Sequence, residues 1–263
     1  MISSRSLLLA FALLAFVSLD AIAQAPPTES APIPSAQIPT AIANAVDSPD
    51  RDAGDRDLDA GRKPKQMLAF FGISPGMKVA DLSAGGGWLT ELLARTVGAT
   101  GKVHSVNGEF PPRFKQIGDD WRARLHKPAL ANVVAVQKPL GSADLFGVAP
   151  DTLDAVLINL NYHDLVAFGI DPNHVNAEVF KALKPGGIYG IVDHSAEPGS
   201  GTRDANTLHR IDEQYAIAEV DKAGFKLAAK SSALRRPDDT RKWFVFQRRG
   251  ETDRFMLKFV KPN

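Results

Sequence analysis

Residues 78 to 90 read Lys78-Val-Ala-Asp-Leu-Ser-Ala-Gly-Gly-Gly-Trp-Leu-Thr90. Val79 and Leu82 give the apolar signal of a short buried strand with an acid, Asp81, near its tip. Thr90 to Arg95 then opens a helical pattern. Between strand and helix, Gly85, Gly86 and Gly87 lack a Cβ, so the backbone turns sharply and comes close to a ligand. The unpaired N–H groups of a helix start favour a carboxylate or phosphate. A dinucleotide fingerprint needs G-x-G-x-x-G in such a turn. Here Gly85-x-Gly87-x-x runs into Thr90, and the third glycine is missing. Asp81 would also repel a pyrophosphate. An acid at that place suits a ligand with an ammonium group.

Working outward, further segments fall into a familiar order. Asp81-Leu-Ser-Ala-Gly-Gly-Gly resembles the D-L-G-x-G-x-G loop of class I S-adenosylmethionine-dependent methyltransferases, with Ser83 in place of the first glycine. Lys102-Val-His-Ser-Val-Asn107 resembles their second strand and Leu153-Asp-Ala-Val-Leu-Ile158 their fourth. Leu183-Lys-Pro-Gly-Gly-Ile-Tyr-Gly-Ile-Val-Asp193 resembles the L-K-P-G-G turn and fifth strand. The resemblance spans roughly residues 60 to 249. Through Arg62-Lys-Pro64, Asn161-Tyr-His-Asp164 and Asp193-His194 it is nearest to a group of exported, poorly characterised predicted methyltransferases.

That resemblance implies a doubly wound, seven-stranded, mostly parallel α/β sheet of Rossmann-like type. It implies S-adenosylmethionine as cofactor and methyl transfer to a small-molecule acceptor. Asp81, Ser83, Gly85 and Gly87 become the cofactor-loop residues. Asn107 ends the second strand, where the family has an acid on the ribose hydroxyls. An amide there accepts one hydrogen bond and donates another, but loses the charge-assisted pair. Asp144 lies before the fourth strand, near the segment that contacts adenine in the family, or else is a surface acid.

Composition narrows the alternatives. Arg5, the apolar run Leu7 to Val17 and the small-x-small site Ala21-Ile-Ala23 read as a signal peptide over residues 1–23. The mature protein is then expected in the periplasm or secreted. Residues 24–45, rich in Pro, Ala and Ser, read as a flexible tether, and residues 46–263 as one domain. A net charge of +1 gives no electrostatic reason for nucleic acid or an anionic membrane as partner. The chain has no cysteine, which excludes disulfides, thiolate metal sites and a cysteine nucleophile.

Along the domain, Lys65 to Phe71 reads as a helix ended by Gly72, and Val133 to Val136 as the third strand. A basic helix with Phe114 and Trp121 follows the second strand, Asp171-Pro172 opens a helix, and Gly186-Gly187 closes it. Ile188 to Val192 is the fifth strand, and Thr207 to Ala223 is one long helix stopped by Gly224. Phe225 to Ala229 and Trp243 to Phe246 are expected as the antiparallel pair that closes the sheet. Arg235, Arg236, Arg248, Arg249 and the tail from Lys258 to Lys261 read as solvated charge.

Ligands of such sheets lie beyond the carboxyl ends of the strands. His163 follows the fourth strand there and is the candidate general base, since imidazole titrates near neutrality, with Asp164 to orient its ring. His194 ends the fifth strand and faces the same cleft. His163, His194, His209 and Asp193 can gather above the sheet, but no two histidines lie within one helical turn, so no metal is assigned. An exported protein is also separated from a cofactor made inside the cell. A methyltransferase-like domain that binds a small ligand or metal without methyl transfer is therefore the second expectation.

Overall fold

A computed structural model describes residues 27–263. Its strands are β1 (Glu29–Ser30), β2 (Lys78–Leu82), β3 (Lys102–Asn107), β4 (Val133–Gln137), β5 (Leu153–Asn159), β6 (Leu183–His194), β7 (Lys226–Ser231) and β8 (Arg254–Val260). The helices before the sheet's centre are α1 (Thr40–Asp47), α2 (Ala53–Asp57), α3 (Asp59–Arg62), α4 (Pro64–Phe71) and α5 (Trp88–Val97). Those that follow are α6 (Lys115–Arg124), α7 (Tyr162–Ala167), α8 (Pro172–Ala182), α9 (Ala205–Leu208) and α10 (Glu213–Lys222). The strands form one sheet in the order β1-β7-β8-β6-β5-β2-β3-β4. Only β8 runs antiparallel to its neighbours β6 and β7. The order reverses between β2 and β5, which makes their carboxyl ends the switch point.

Period-two alternation divides the core. Ala80, Leu82, Val156, Ile158 and Ile191 pack with Tyr162, Leu165, Val175 and Val220 on the face of α7, α8 and α10. Val79, Val103, Ala155 and Leu157 pack with Met67, Phe71, Leu89 and Leu93 on the face of α4 and α5. Asp81 shares the parity of Val79 and so points toward α5.

The expected doubly wound sheet is present, with β1 added at its edge as an eighth strand. Several boundaries move. The signal peptide, residues 1–23, lies outside the described residues. The tether does not extend to residue 45: β1 pairs with β7, and α1 buries Ile42, Ala45 and Val46 against the α4–α5 layer. Ile33 and Ile38, lying between the prolines, pack against the same layer. The closing strand is β8, not Trp243 to Phe246, whose outer rings are exposed and which leads into a 3-10 turn at Val245–Arg248. Lys258 and Lys261 are accordingly not solvated tail: they donate to the backbone carbonyls of Phe70 and of Phe180 and Leu183. Arg235 pairs with Glu213 and Glu29. The helix expected over Thr207 to Ala223 is broken at His209, which takes φ +54. Ile211 then bridges Ser195, and Asp212 restarts the helix by accepting from the Gln214 N–H at 3.0 Å. Among the described residues, no helix is long and apolar enough to cross a membrane.

Candidate active site

At the carboxyl end of β2 the loop carries three residues in the left-handed region, Ser83 (φ +60), Gly85 (φ +55) and Gly87 (φ +83). A Cβ at Gly85 would meet open space, whereas one at Gly87 would come within 2.9 Å of Arg124. Gly85 thus leaves the space beside its Cα open, and Gly87 lets Arg124 pass beneath the loop. Arg124 donates to the Gly86 carbonyl at 2.8 Å and pairs with Asp55 and Glu91, fastening the loop to α2 and α5.

Asp81 is 2 % exposed. Trp121 donates to the Ser105 hydroxyl (2.8 Å), which lies 2.9 Å from Thr90, and Thr90 donates to the Asp81 carboxyl at 2.6 Å. Indole only donates, so the chain runs one way and ends on Asp81 as acceptor. Burial pushes the Asp81 carboxyl up to about 7, against the lowering effect of the Thr90 hydroxyl.

Asn107 is buried, and its amide closes on the loop: it accepts from the Gly85 N–H at 2.8 Å and donates to the Gly85 carbonyl at 3.1 Å. Its hydrogen-bonding capacity is directed at the loop's own backbone. Asp144 is not part of this arrangement. With φ +58 it turns outward, pairs with Lys138 at 3.0 Å and donates its backbone N–H to the Glu178 carboxylate at 2.8 Å. It is the surface acid of the two expectations.

One strand over, Asn161 donates to the Ser83 carbonyl at 2.8 Å and joins the β5 end to the glycine loop. His163 follows in the first turn of α7, almost fully buried. The acid that orients it is Asp193, not Asp164 as the sequence suggests. Asp193 accepts from the His163 backbone N–H (2.7 Å), its Nδ1 (2.8 Å) and the His194 N–H (2.7 Å). A carboxylate only accepts, so a proton sits on Nδ1, and in its neutral form the ring presents a lone pair at Nε2. Burial opposes a charge on His163, but the Asp193 carboxylate outweighs it and raises the imidazole above its ordinary value.

Around that Nε2 lie His209 Nδ1 at 3.2 Å and Asp164 Oδ1 at 3.4 Å, themselves 3.6 Å apart. The Asp164 oxygen is buried and has no hydrogen-bond partner, and burial raises that carboxyl to about 6. His209 is the outermost member, its ring flanked by Phe244 and Phe246 at 5.3 Å each, and burial with the neighbouring His163 lowers it. His194 stands 6.2 Å from His163, ring to ring, and turns its Nδ1 to Thr252 at 2.8 Å. Burial drives it well below its ordinary value, so it stays neutral. The three histidines do gather, with His209 nearer to His163 than His194 is.

A concavity of about 480 Å³ lies elsewhere, between α1, α5 and residues 128–132. Its one charged lining residue, Arg95, is already paired with Asp50 and Glu91, and nothing in it performs acid–base chemistry.

No family model matches the chain. Over 175 residues it is 27% identical to the ubiquinone/menaquinone biosynthesis C-methyltransferase UbiE of Escherichia coli (strain K12 / DH10B), covering 65% of each protein. The chain therefore spans slightly under two thirds of that relative's length. Among solved structures, an S-adenosylmethionine-dependent methyltransferase from Aquifex aeolicus superposes with a TM-score of 0.56 at 18% identity, over 80% of this chain and 94% of that one. The fold is that of a class I methyltransferase. The [4+2]-cyclase SpnF shares it, with a TM-score of 0.55 at 15% identity over 80% of this chain and 81% of its own, so the methyltransferase fold also carries other chemistry.

Within this methyltransferase fold, sequence reasoning missed the roles of Arg124, Asp55 and Thr252, which act only through residues distant in the chain. Tyr162, beside His163, is fully buried and accepts a hydrogen bond from Asn176 at 3.0 Å. Trp88 is buried too, with the Arg62 guanidinium 4.6 Å over its ring.

Proposed function

We propose that this protein transfers a methyl group from S-adenosylmethionine to a small-molecule acceptor bound at the carboxyl edge of β2, β5 and β6. The observation that carries this reading is the juxtaposition of a left-handed glycine loop and an Asp-oriented histidine, joined by the Asn161–Ser83 hydrogen bond. The residues suit the amino-acid end of the cofactor. The Gly85 and Gly86 Cβ positions open onto free space, a buried acid stands at the strand tip, and Arg62 has no ion-pair partner among the described residues. Asp81 would hold the ammonium, and an arriving cation reverses the effect of burial on its charge. Arg62 would hold the carboxylate. At the ribose, Asn107 departs from the family's acid and serves the loop instead.

The cofactor supplies an electrophilic methyl group, so the protein's own task is to position the acceptor and remove its proton. His209, the outermost ring, takes that proton and passes one to His163. Asp193 then balances the charge on His163. The raised His163 and lowered His209 set that direction. Phe244 and Phe246 beside His209 supply an apolar wall for the acceptor. The segment 1–23 directs the protein out of the cytoplasm, with neither nucleic acid nor membrane as partner of the mature chain. A second reading, ligand binding on this fold without methyl transfer, draws support from the cyclase that shares it. Methyl-labelled S-adenosylmethionine incubated with the protein and a small-molecule extract distinguishes them. Label should appear in a small molecule with wild type and fall about 100-fold or more with His163→Ala. Cofactor binding without any transferred label favours the second reading.

A further inference from the structure

His163 Nε2, His209 Nδ1 and Asp164 Oδ1 form a triangle with sides of 3.2, 3.4 and 3.6 Å. All three are ligand atoms of the kind that zinc takes. A regular tetrahedron with metal–ligand bonds of ~2.0–2.1 Å has edges of ~3.3–3.4 Å. One face of an octahedron with the same bonds has edges of only ~2.9 Å. The observed triangle matches the tetrahedral face.

Proton bookkeeping adds a second argument. Asp193 fixes a His163 proton on Nδ1, so in the neutral ring Nε2 is a lone pair facing the Asp164 oxygen. That oxygen is buried without a donor. While His163 is neutral, two acceptors face each other and need a proton or a metal ion between them, and the single Nδ1 proton of His209 cannot serve both. Hydrogen-bonding a metal-ligating histidine to a carboxylate through its other nitrogen is also the usual way to fix the ring and strengthen it as a ligand. Asp193 stands where such a partner belongs.

We propose that His163, His209 and Asp164 bind one divalent ion of the zinc class in tetrahedral geometry, with a fourth position open toward Phe244 and Phe246. The ion replaces the proton shared within the cluster. It presents a Lewis acid to an acceptor oxygen or sulfur, taking over the task otherwise given to His209. The site rests on the geometry of the cluster and does not depend on methyl transfer.

The test uses the full chain freed of metal by a chelator and titrated with Co²⁺, then Zn²⁺. We expect one equivalent of Co²⁺ with the intense visible absorption of four-coordinate cobalt, displaced by Zn²⁺. His209→Gln and Asp164→Asn should each weaken Zn²⁺ binding about 100-fold or more, and Asp193→Asn about 10- to 100-fold. His126→Gln, exposed and remote in sequence, should change nothing. Circular dichroism of each variant checks that it is folded, and His209 and Asp164, being partly exposed, keep the test available if Asp193→Asn is not. Absence of saturable Co²⁺ binding, six-coordinate weak absorption, or binding that survives the Asp164→Asn/His209→Gln double variant overturns the proposal. Titration of the same metal-free protein with S-adenosylmethionine reports separately on the methyltransferase reading.

Discussion

The glycine loop and the histidine cluster occupy one edge of one sheet and are built in opposite ways. The loop is a continuous run, Asp81 to Trp88, that works through backbone shape: left-handed residues, a Cβ-free approach and an amide that clasps Gly85. The cluster works through side chains from three separate segments, the start of α7, the end of β6 and the chain after α9. One region is therefore soft to single side-chain changes and hard to backbone ones. The other is the reverse. Charge follows the same division, since the loop's acid ends a neutral hydroxyl chain while the cluster's acid is matched by imidazole.

The largest expected effect is on the cluster side. Asp193 is fully buried and accepts three hydrogen bonds, so Asp193→Ala should destabilise the protein by about 3–5 kcal/mol in a denaturant titration. A cost below about 1 kcal/mol would mean that the cluster is not held by its central acid.

The loop's acid should behave in the opposite sense. Asp81 has a folded value of about 7 against an ordinary 3.8, so the folded protein holds a proton that the unfolded chain has released between those values. Stability from this group is greatest below about pH 4 and falls as pH rises through 7. Asp81→Asn should therefore stabilise the ligand-free protein at pH 8 by roughly 3–4 kcal/mol, a gain that shrinks toward pH 4. Thermal melts across that range decide it. Destabilisation by Asp81→Asn at pH 8 would show that Asp81 is not the strained partner in the comparison.

Much of the loop was legible because its information is local. Gly85, Gly87 and the strand before them declare a turn whatever the rest of the chain does. The sheet was legible for the same reason, through alternation in β2, β3 and β5. The clasp of Asn107 on Gly85 was not legible because the two are 22 residues apart and the amide folds back onto the loop. The break at His209 was hidden because Thr207 to Ala223 has sound helical periodicity. Only the bridge of Ile211 to Ser195 and the Asp212 cap interrupt it. The histidines were visible one by one, but their approach depends on β5, β6 and that break together.

The smallest effect separates the two readings of Asn107. The family pattern expects Asn107→Asp to tighten cofactor binding by ~1 kcal/mol through a charged hydrogen bond. The structure reverses the sign. Aspartate loses the donor to the Gly85 carbonyl and sets a charged oxygen against it, so the variant should lose about 1–2 kcal/mol of stability and bind cofactor more weakly. Tighter binding would restore Asn107 to the ribose.

The central claim, that the Asp81–Gly87 loop binds S-adenosylmethionine, is tested most directly by isothermal titration of wild type and Gly85→Val with that cofactor. The expected result is saturable binding of one equivalent to wild type and none to Gly85→Val, whose added side chain enters the open approach at φ +55. Wild-type protein that gives no binding heat, or a folded Gly85→Val variant that binds as wild type does, would contradict it.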